Sequence, residues 1–184
     1  MKRILGIDCS STTIGISVLE VDTNINTIKF ISCTYIKPIK TGSITDRIVN
    51  TRDKIRKIIE KEKPDVICIE DIIQFMKGKS TAQTIIMLTT FNRMVCLLAY
   101  DYLQVSPTLF NVMSIRHGIK KNKELPKKED IPELVADHLN IKFPYEVNKK
   151  GTKKVENYDM ADSIAVALYH ALLITGKIKK KGKK

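Results

Sequence analysis

The sequence lacks the features that would assign it to a membrane, secreted or zinc-binding class. It has no tryptophan and only four cysteines and three histidines in 184 residues. The cysteines form no CxxC pair and have no histidine at metal-ligand spacing, which favours buried reduced thiols over disulfides or zinc. No apolar run reaches the roughly 18 residues of a membrane span, and the N-terminal segment has no long apolar stretch typical of a signal peptide. We therefore expect an intracellular, cytoplasmic protein.

Acidic residues are scarce relative to basic ones. Asp and Glu number 20 against 32 Lys and Arg, which gives a formal net charge of +12. Such an excess suggests a polyanionic partner, with nucleic acid first and anionic lipid second. Basic residues cluster at 116–128, at 149–154 and in a predicted disordered tail at 177–184. A lysine- and isoleucine-rich composition, as in AT-rich coding sequence, would raise the charge without any binding function, so charge alone is weak support.

Apolar periodicity predicts a single α/β domain over residues 1–176. The order of its first elements, three antiparallel strands, a helix and a buried strand, predicts a central mixed five-stranded sheet flanked by helices. The predicted strands are 3–8, 14–21, 27–36, 65–71 and a short one at 105–110. The predicted helices are 45–63, 80–103, 129–139 and a last one that begins near Asp159, with loops at 116–128 and 142–157.

Four carboxylates stand at the ends of these elements. Asp8 closes the first strand, Glu70 closes the strand at 65–71, and Asp159 and Asp162 open the last helix. Neighbouring strands would place the first two side by side, and the i, i+3 spacing puts the helix pair on one face. Converging carboxylates repel unless a divalent ion neutralises them, and Mg²⁺ suits an all-oxygen site. Two such ions roughly 4 Å apart promote phosphodiester hydrolysis.

Each acid also has an ordinary structural explanation. The helix dipole favours a carboxylate in a first turn, Asp8 before SSTT suits an Asx turn, and Glu70 suits a turn at a strand end. Taken alone, the Asp159–Asp162 pair is more often structural than catalytic. The order of two strand acids followed by a helix pair, with lysine-rich segments between them, favours a metal-dependent nuclease.

Three segments resemble the RuvC-type Holliday junction resolvases of the RNase H-like superfamily. They are GIDCSSTTIGI at 6–16, DVICIEDIIQFMKGKS at 65–80 and, most specifically, NYDMADSIAVALYH at 157–170. The resemblance spans nearly the whole chain apart from the lysine tail, and the composition fits a phage or low-GC bacterial member. It implies an RNase H-like fold and a homodimeric endonuclease that cuts branched DNA with two Mg²⁺ ions per active site, Mn²⁺ being a substitute.

The resemblance also implies roles for particular residues. It makes Asp8, Glu70, Asp159 and Asp162 the catalytic, metal-binding acids. Phe75 would stack on an unpaired base at the branch point, with a core aromatic as an equal alternative. Lysines would hold the flanking phosphates without reading bases. The lysines so assigned are Lys77, Lys79, Lys120, Lys121 and Lys128.

The chain departs from the family pattern at several points. The family's Asp-Pro-Gly after the first strand is replaced by Asp-Cys-Ser, with Gly15 still in place so that the turn can form. Asn111 stands where a lysine is expected after the short strand, and Lys128 is the match for a second active-site lysine. His170, on an apolar helix face, suits a core histidine better than a catalytic one.

Other functions remain open at this stage. An RNase H-like nuclease of the YqgF type, acting on RNA, would use a similar set of acids. A non-catalytic nucleic-acid-binding module would need only the basic charge, although an acidic cluster would oppose its binding. A sugar-kinase or actin-like ATPase is disfavoured, because such proteins are longer and need a D-x-G loop that this sequence lacks.

Overall fold

The computed structural model describes residues 1–72 and 81–179. The strands within these ranges are β1 Lys2–Cys9, β2 Ile14–Asp22, β3 Thr27–Ile36, β4 Val66–Glu70 and β5 Thr108–Phe110. They form one five-stranded sheet in the spatial order β3-β2-β1-β4-β5. The first three strands pair antiparallel, whereas β4 runs parallel to both β1 and β5. The predicted mixed sheet is confirmed.

Helices cover both faces of this sheet. The helices of the described ranges are α1 Ile44–Glu62, α2 Ala82–Leu103, α3 Val112–Ile119, α4 Ile131–Leu139 and α5 Glu156–Ile174. On one face, Ile55 of α1 and Phe91 of α2 are fully buried against the strands. On the other face, α5 packs across β1 and β2, with α3 and α4 beside it. The domain therefore has two apolar cores separated by the sheet.

Local capping sets the helix boundaries. Ser43 begins α1 with a reciprocal capping box to Asp46, and Lys63, in the left-handed conformation before Pro64, ends it. The side chain of Asn111 accepts a hydrogen bond from the backbone of the second residue of α3 at 2.8 Å. Asn111 is thus the N-cap of α3. The predicted loop at 116–128 was wrong in its first turn, which belongs to α3.

Gly15 allows α5 to rest directly on β2. A Cβ atom on Gly15 would fall 1.9 Å from the carbonyl oxygen of Asp159, so no side chain fits there. The turn before β2 is closed by Ser10 instead, whose hydroxyl accepts from the backbone N–H of Thr13 at 2.9 Å. Gly15 therefore serves the approach of a helix and not the turn that the sequence suggested.

The long helix α2 has two apolar faces. By length and composition alone, it is long and apolar enough to cross a membrane, although polar residues interrupt it. Just 28% of its apolar 18-residue stretch is buried in the domain. Phe91 and Val95 face the sheet. Ile86, Leu97 and Tyr100 are exposed at 64%, 62% and 48%, and their spacing places them on one side of the helix. No other part of residues 1–72 and 81–179 covers this outer apolar stripe, on whose side of the helix Arg93 is also exposed.

Candidate active site

The strands β1 and β4 each carry one acid at the same level of the sheet. The two strands are parallel and Ile7 pairs with Ile69, so Asp8 and Glu70 follow as neighbours. Side chains alternate along a strand, and Ile4 of β1 belongs to the core beneath α5. Asp8, four residues further on, therefore faces α5 as well.

The helix α5 carries the other two acids in its first turns. Asp159 and Asp162 share a helix face, and their side chains are 18% and 15% exposed. Burial raises the pKa of Asp8 well above its usual value, and the charges of Glu70, Asp162 and Asp159 raise it further. The structure thus brings the four acids into one electrostatic cluster.

Burial also raises the pKa values of the other three acids. The pKa of Glu70 rises to about 7, with the charge of Asp162 adding to the effect of burial, whereas Arg116 and Lys128 oppose it. Burial raises the pKa of Asp159 and of Asp162, again against the charge of Lys128. A nearby positive charge stabilises the ionised form of carboxyl groups whose pKa values are raised in this way. The cluster therefore favours the binding of a cation.

Lys128 is a positive charge in direct contact with the cluster. Its Nζ atom lies 3.7 Å from Asp159 Oδ1 and 3.5 Å from Asp162 Oδ2. Burial lowers the pKa of Lys128, but the charges of Asp162, Asp159 and Asp8 outweigh it, and the pKa is raised. Lys128 stands in a single 3-10 turn just before α4. Its side chain is 47% exposed, so its ammonium contacts the helix acids from the surface side of the cluster.

Arg116 is a second nearby cation, and the sequence reasoning missed it. Its charge lowers the pKa values of Glu70 and Asp162. Its Nε atom is buried and has no hydrogen-bond partner in the part of the chain that the structure describes. The buried residues Ile115 and Ile119 have helical i, i+4 spacing, and this signal could have revealed α3, the helix that carries Arg116.

The donor set fits a hard divalent cation. All four acids offer carboxylate oxygens, the donors that Mg²⁺ and Mn²⁺ prefer, and Lys128 and Arg116 offset only part of their negative charge. As the side chains stand, no three acids, histidines or cysteines within the described ranges are close enough to hold one ion together. Ion binding would draw the carboxylates inward, and the ammonium of Lys128 would compete with the ion for two of them.

Three of the predicted DNA-binding residues, Lys120, Lys121 and Lys128, lie within the described ranges. Lys120 and Lys121 follow α3, where Lys120 donates from Nζ to the carbonyl oxygen of Lys123 at 2.9 Å. Lys121 pairs with Asp137 at 2.5 Å. These lysines line a surface cavity of about 420 Å³. The predicted contacts that fall outside the described residues are Phe75, Lys77 and Lys79.

His170 lies away from the acidic cluster. Its ring centroid is 5.9 Å from that of Phe110 in the core. Burial lowers its pKa, and the charge of Lys2, at the opposite end of β1 from Asp8, lowers it further. This environment agrees with a core histidine. Of the cysteines, Cys9 and Cys68 are buried, as predicted, whereas Cys33 and Cys96 are half-buried.

Two acids on neighbouring strands, covered by a helix that carries two more on the same face of a mixed five-stranded sheet, are typical of RNase H-like metal-dependent nucleases. A family model described as "Crossover junction endodeoxyribonuclease RuvC" matches residues 4–170. The chain belongs to this family, and the predicted enzyme class, crossover junction endodeoxyribonuclease, is confirmed.

Curated relatives and solved structures agree with this assignment. The RuvC protein of Fusobacterium nucleatum is 26% identical over 179 residues, which cover 96% of this chain and 83% of the relative. The RuvC protein of Finegoldia magna is 28% identical over 161 residues, which cover 78% of this chain and 96% of the relative.

Two solved structures establish the fold. Thermus thermophilus RuvC in complex with a Holliday junction substrate has a TM-score of 0.70 at 15% identity, with 96% of both chains covered. The yeast mitochondrial Holliday junction resolvase has a TM-score of 0.65 at 16% identity, covering 96% of this chain and 81% of the resolvase. The predicted RNase H-like fold is therefore confirmed.

Proposed function

We propose that this chain is a metal-dependent endonuclease that resolves Holliday junctions in recombination, repair or phage DNA processing. The observation that carries the proposal is the convergence of Asp8, Glu70, Asp159 and Asp162 in a chain of the RuvC family. A non-catalytic binding module would have no use for a buried acidic cluster, which opposes the binding of a polyanion. The alternative, an RNase H-like nuclease that acts on RNA, is distinguished by the cleavage experiment described below.

The four acids are proposed as the catalytic residues and as the metal ligands. Nucleases of the RuvC type depend on divalent metal. Two Mg²⁺ ions per active site, with Mn²⁺ as a substitute, would be held by Asp8, Glu70 and the Asp159–Asp162 pair. When bound, such ions activate water and stabilise the leaving oxygen of a phosphodiester.

The chain's own residues orient the substrate around this centre. The backbone register of β1 and β4 holds Asp8 beside Glu70, and the contact of α5 with β2 holds the helix acids opposite them. Lys128 and Arg116 lie beside the acids and can accept the scissile phosphate as it enters. Lys120 and Lys121 would contact phosphates further along the strand, as would Lys77 and Lys79. Phe75 would stack on an unpaired base at the branch point.

A homodimer is part of the proposal. A four-way junction offers two symmetric strands for cutting, so two active sites related by a two-fold axis suit it. The outer apolar stripe of α2, with Ile86, Leu97 and Tyr100 exposed, is the surface that two copies would bury. The proposed setting is the cytoplasm of a bacterium or of a phage-infected cell, where chromosomal and phage DNA are processed.

The test is cleavage of a synthetic four-way junction in Mg²⁺, with flap, linear duplex and structured RNA as competitors. We expect paired nicks in opposite strands of the junction, lost in Asp8→Asn and Asp162→Asn while junction binding in EDTA is retained. Activity on RNA alone would favour the YqgF-type alternative. Absence of paired nicking, or full activity in both variants, would overturn the proposal.

A further inference from the structure

The segment 146–154, predicted as part of a loop, forms a small β-hairpin that is named here the basic hairpin. Val147 and Lys153 form an antiparallel bridge. The backbone N–H of Lys154 donates to the carbonyl oxygen of Glu146 at 3.0 Å. A short ladder of this kind holds the two arms of the segment together and presents its turn outward.

Asn148 shapes the turn of the basic hairpin. Its Oδ1 atom accepts from the backbone N–H of Lys150 at 2.9 Å and from that of Thr152 at 3.1 Å. Gly151 takes the left-handed conformation that the turn requires, with φ of 78°. The side chains of Lys149 and Lys150 are therefore carried on a defined turn and not on an irregular segment.

A buried amide fastens the basic hairpin to the active-site helix. Asn157, 2% exposed in the first turn of α5, accepts at Oδ1 from the backbone N–H of Glu146 at 2.8 Å. Its Nδ2 donates to the carbonyl oxygens of Glu146 and Lys154, both at 2.8 Å. Asn157 stands two residues before Asp159. One side chain thus links the hairpin to the helix that carries Asp159 and Asp162.

A second attachment joins the basic hairpin to the sheet. The hydroxyl of Tyr35 donates to Glu146 Oε2 at 3.2 Å, and Lys154 Nζ donates to the same Glu146 oxygen at 2.8 Å. Tyr35 of β3 pairs with Gly15 of β2, which pairs with Asp8 of β1. Two strand spacings put Tyr35 about 10 Å from Asp8.

The charges of the four lysines in the basic hairpin are not equivalent. Lys154 is paired with Glu146, and the Nζ of Lys153 lies 3.3 Å from the ring centroid of Tyr145. Lys149 and Lys150 are exposed and, within the ranges that the structure describes, form no ion pair with a carboxylate. Two adjacent uncompensated charges on a fixed turn attract a polyanion that supplies regularly spaced negative groups.

We propose that the basic hairpin is a DNA-backbone contact of the nuclease, in which Lys149 and Lys150 bind phosphates of a junction arm on the β3 side of the acidic cluster. The inference rests on the proposed function, since it assumes that a DNA strand lies across the acids. Contacts of this kind set affinity and register and carry no sequence information.

The experiment measures junction binding in EDTA, so that no strand is cut, at salt concentrations from about 50 to 200 mM. The test variant is Lys149→Ala/Lys150→Ala. The matched control is Lys54→Ala/Lys57→Ala, which removes the same charge from exposed positions of α1 on the opposite face of the sheet. We expect the test variant to bind about tenfold more weakly and its log–log salt slope to fall by about 2. The control keeps the wild-type slope and affinity to within about threefold.

A second variant separates the shape of the hairpin from its charge. Asn148→Ala keeps both lysines but removes two hydrogen bonds of the turn, and we expect a smaller loss of affinity with an unchanged thermal midpoint of the domain. Wild-type affinity and slope in Lys149→Ala/Lys150→Ala, or an equal loss in the α1 control, would overturn the hairpin contact while the proposed function stands. Failure of the wild-type chain to bind a junction would instead overturn both.

Discussion

Gly15 and Asp159 are in direct backbone contact: the carbonyl oxygen of Asp159 occupies the place of a side chain on Gly15. Gly15 also pairs with Asp8 in the sheet, so the contact sets the distance between a helix acid and a strand acid. The geometry of the acidic cluster therefore depends on a missing Cβ atom.

Gly15→Ala should push the first turn of α5 off the sheet. A Cβ atom would lie 1.9 Å from the Asp159 carbonyl oxygen. We expect the free energy of unfolding to fall by about 1–3 kcal/mol and the Mg²⁺ concentration at the midpoint of binding to rise. Gly6→Ala is the control, because its Cβ would meet the carbonyl oxygen of Ser163 at 2.3 Å, one turn further along α5. It should lose stability with a smaller effect on Mg²⁺. Wild-type values for Gly15→Ala in both measurements would contradict the prediction.

Glu70→Gln should make the metal-free protein more stable at alkaline pH. The pKa of Glu70 is raised from 4.5 to about 7, so the folded state holds its proton more tightly than the unfolded state does. Stability must then fall as pH rises between these two values, by about 1–3 kcal/mol from this group. Glu70→Gln removes this decrease in the free energy of unfolding, which urea unfolding in EDTA at pH 5 and pH 8 would measure. A variant less stable than the wild type at pH 8 would refute the prediction.

Lys128→Ala should tighten the binding of Mg²⁺ while slowing cleavage. The ammonium of Lys128 lies within 3.7 Å of Asp159 and 3.5 Å of Asp162 and competes with an ion for them. We expect the Mg²⁺ midpoint of thermal stabilisation to fall about three- to tenfold. Lys128→Arg, which keeps the charge, should stay close to wild type in this midpoint. A higher Mg²⁺ midpoint in Lys128→Ala would show that the lysine promotes ion binding and does not compete with it.

Arg116→Gln should shift the pH profile of cleavage to higher pH. The charge of Arg116 lowers the pKa values of Glu70 and Asp162, so its removal makes both acids harder to ionise. The pH of half-maximal cleavage at fixed Mg²⁺ should rise, and Arg116→Lys should restore it. Arg56→Gln, on the exposed side of α1, is the control for loss of charge. An unshifted profile with a simple loss of stability would leave Arg116 a structural residue.

Leu97→Asp should dissociate the proposed homodimer. Leu97 is 62% exposed in the outer apolar stripe of α2, where a carboxylate would be buried without a partner if two copies pair there. Ile25→Asp is a matched control, because Ile25 is 68% exposed in the turn between β2 and β3. Light scattering should give a monomer for Leu97→Asp and a dimer for both the control and the wild type. A monomeric wild type would remove α2 as an interface.

The order of the strands and most helices could be read from the sequence, because periodicity and capping are properties of neighbouring residues. The same holds for the four acids, which close strands or open a helix. Local signals failed where they were short. Helix α3 consists of Val112 and only seven further residues, and it lies between a strand and a lysine run. The bridge of the basic hairpin joins only Val147 and Lys153.

The remaining features join residues that are far apart in the chain. The Gly15–Asp159 contact, the pairing of Lys128 with the helix acids and the inward position of Arg116 each depend on how α3, α4 and α5 pack on one face of the sheet. Local sequence patterns carry no information on such packing, since it is decided by which surfaces fit together once the sheet has formed. The four acids could thus be predicted from the sequence. The positions of Lys128 and Arg116 beside them, and the distances between the acids, were decided by the tertiary structure.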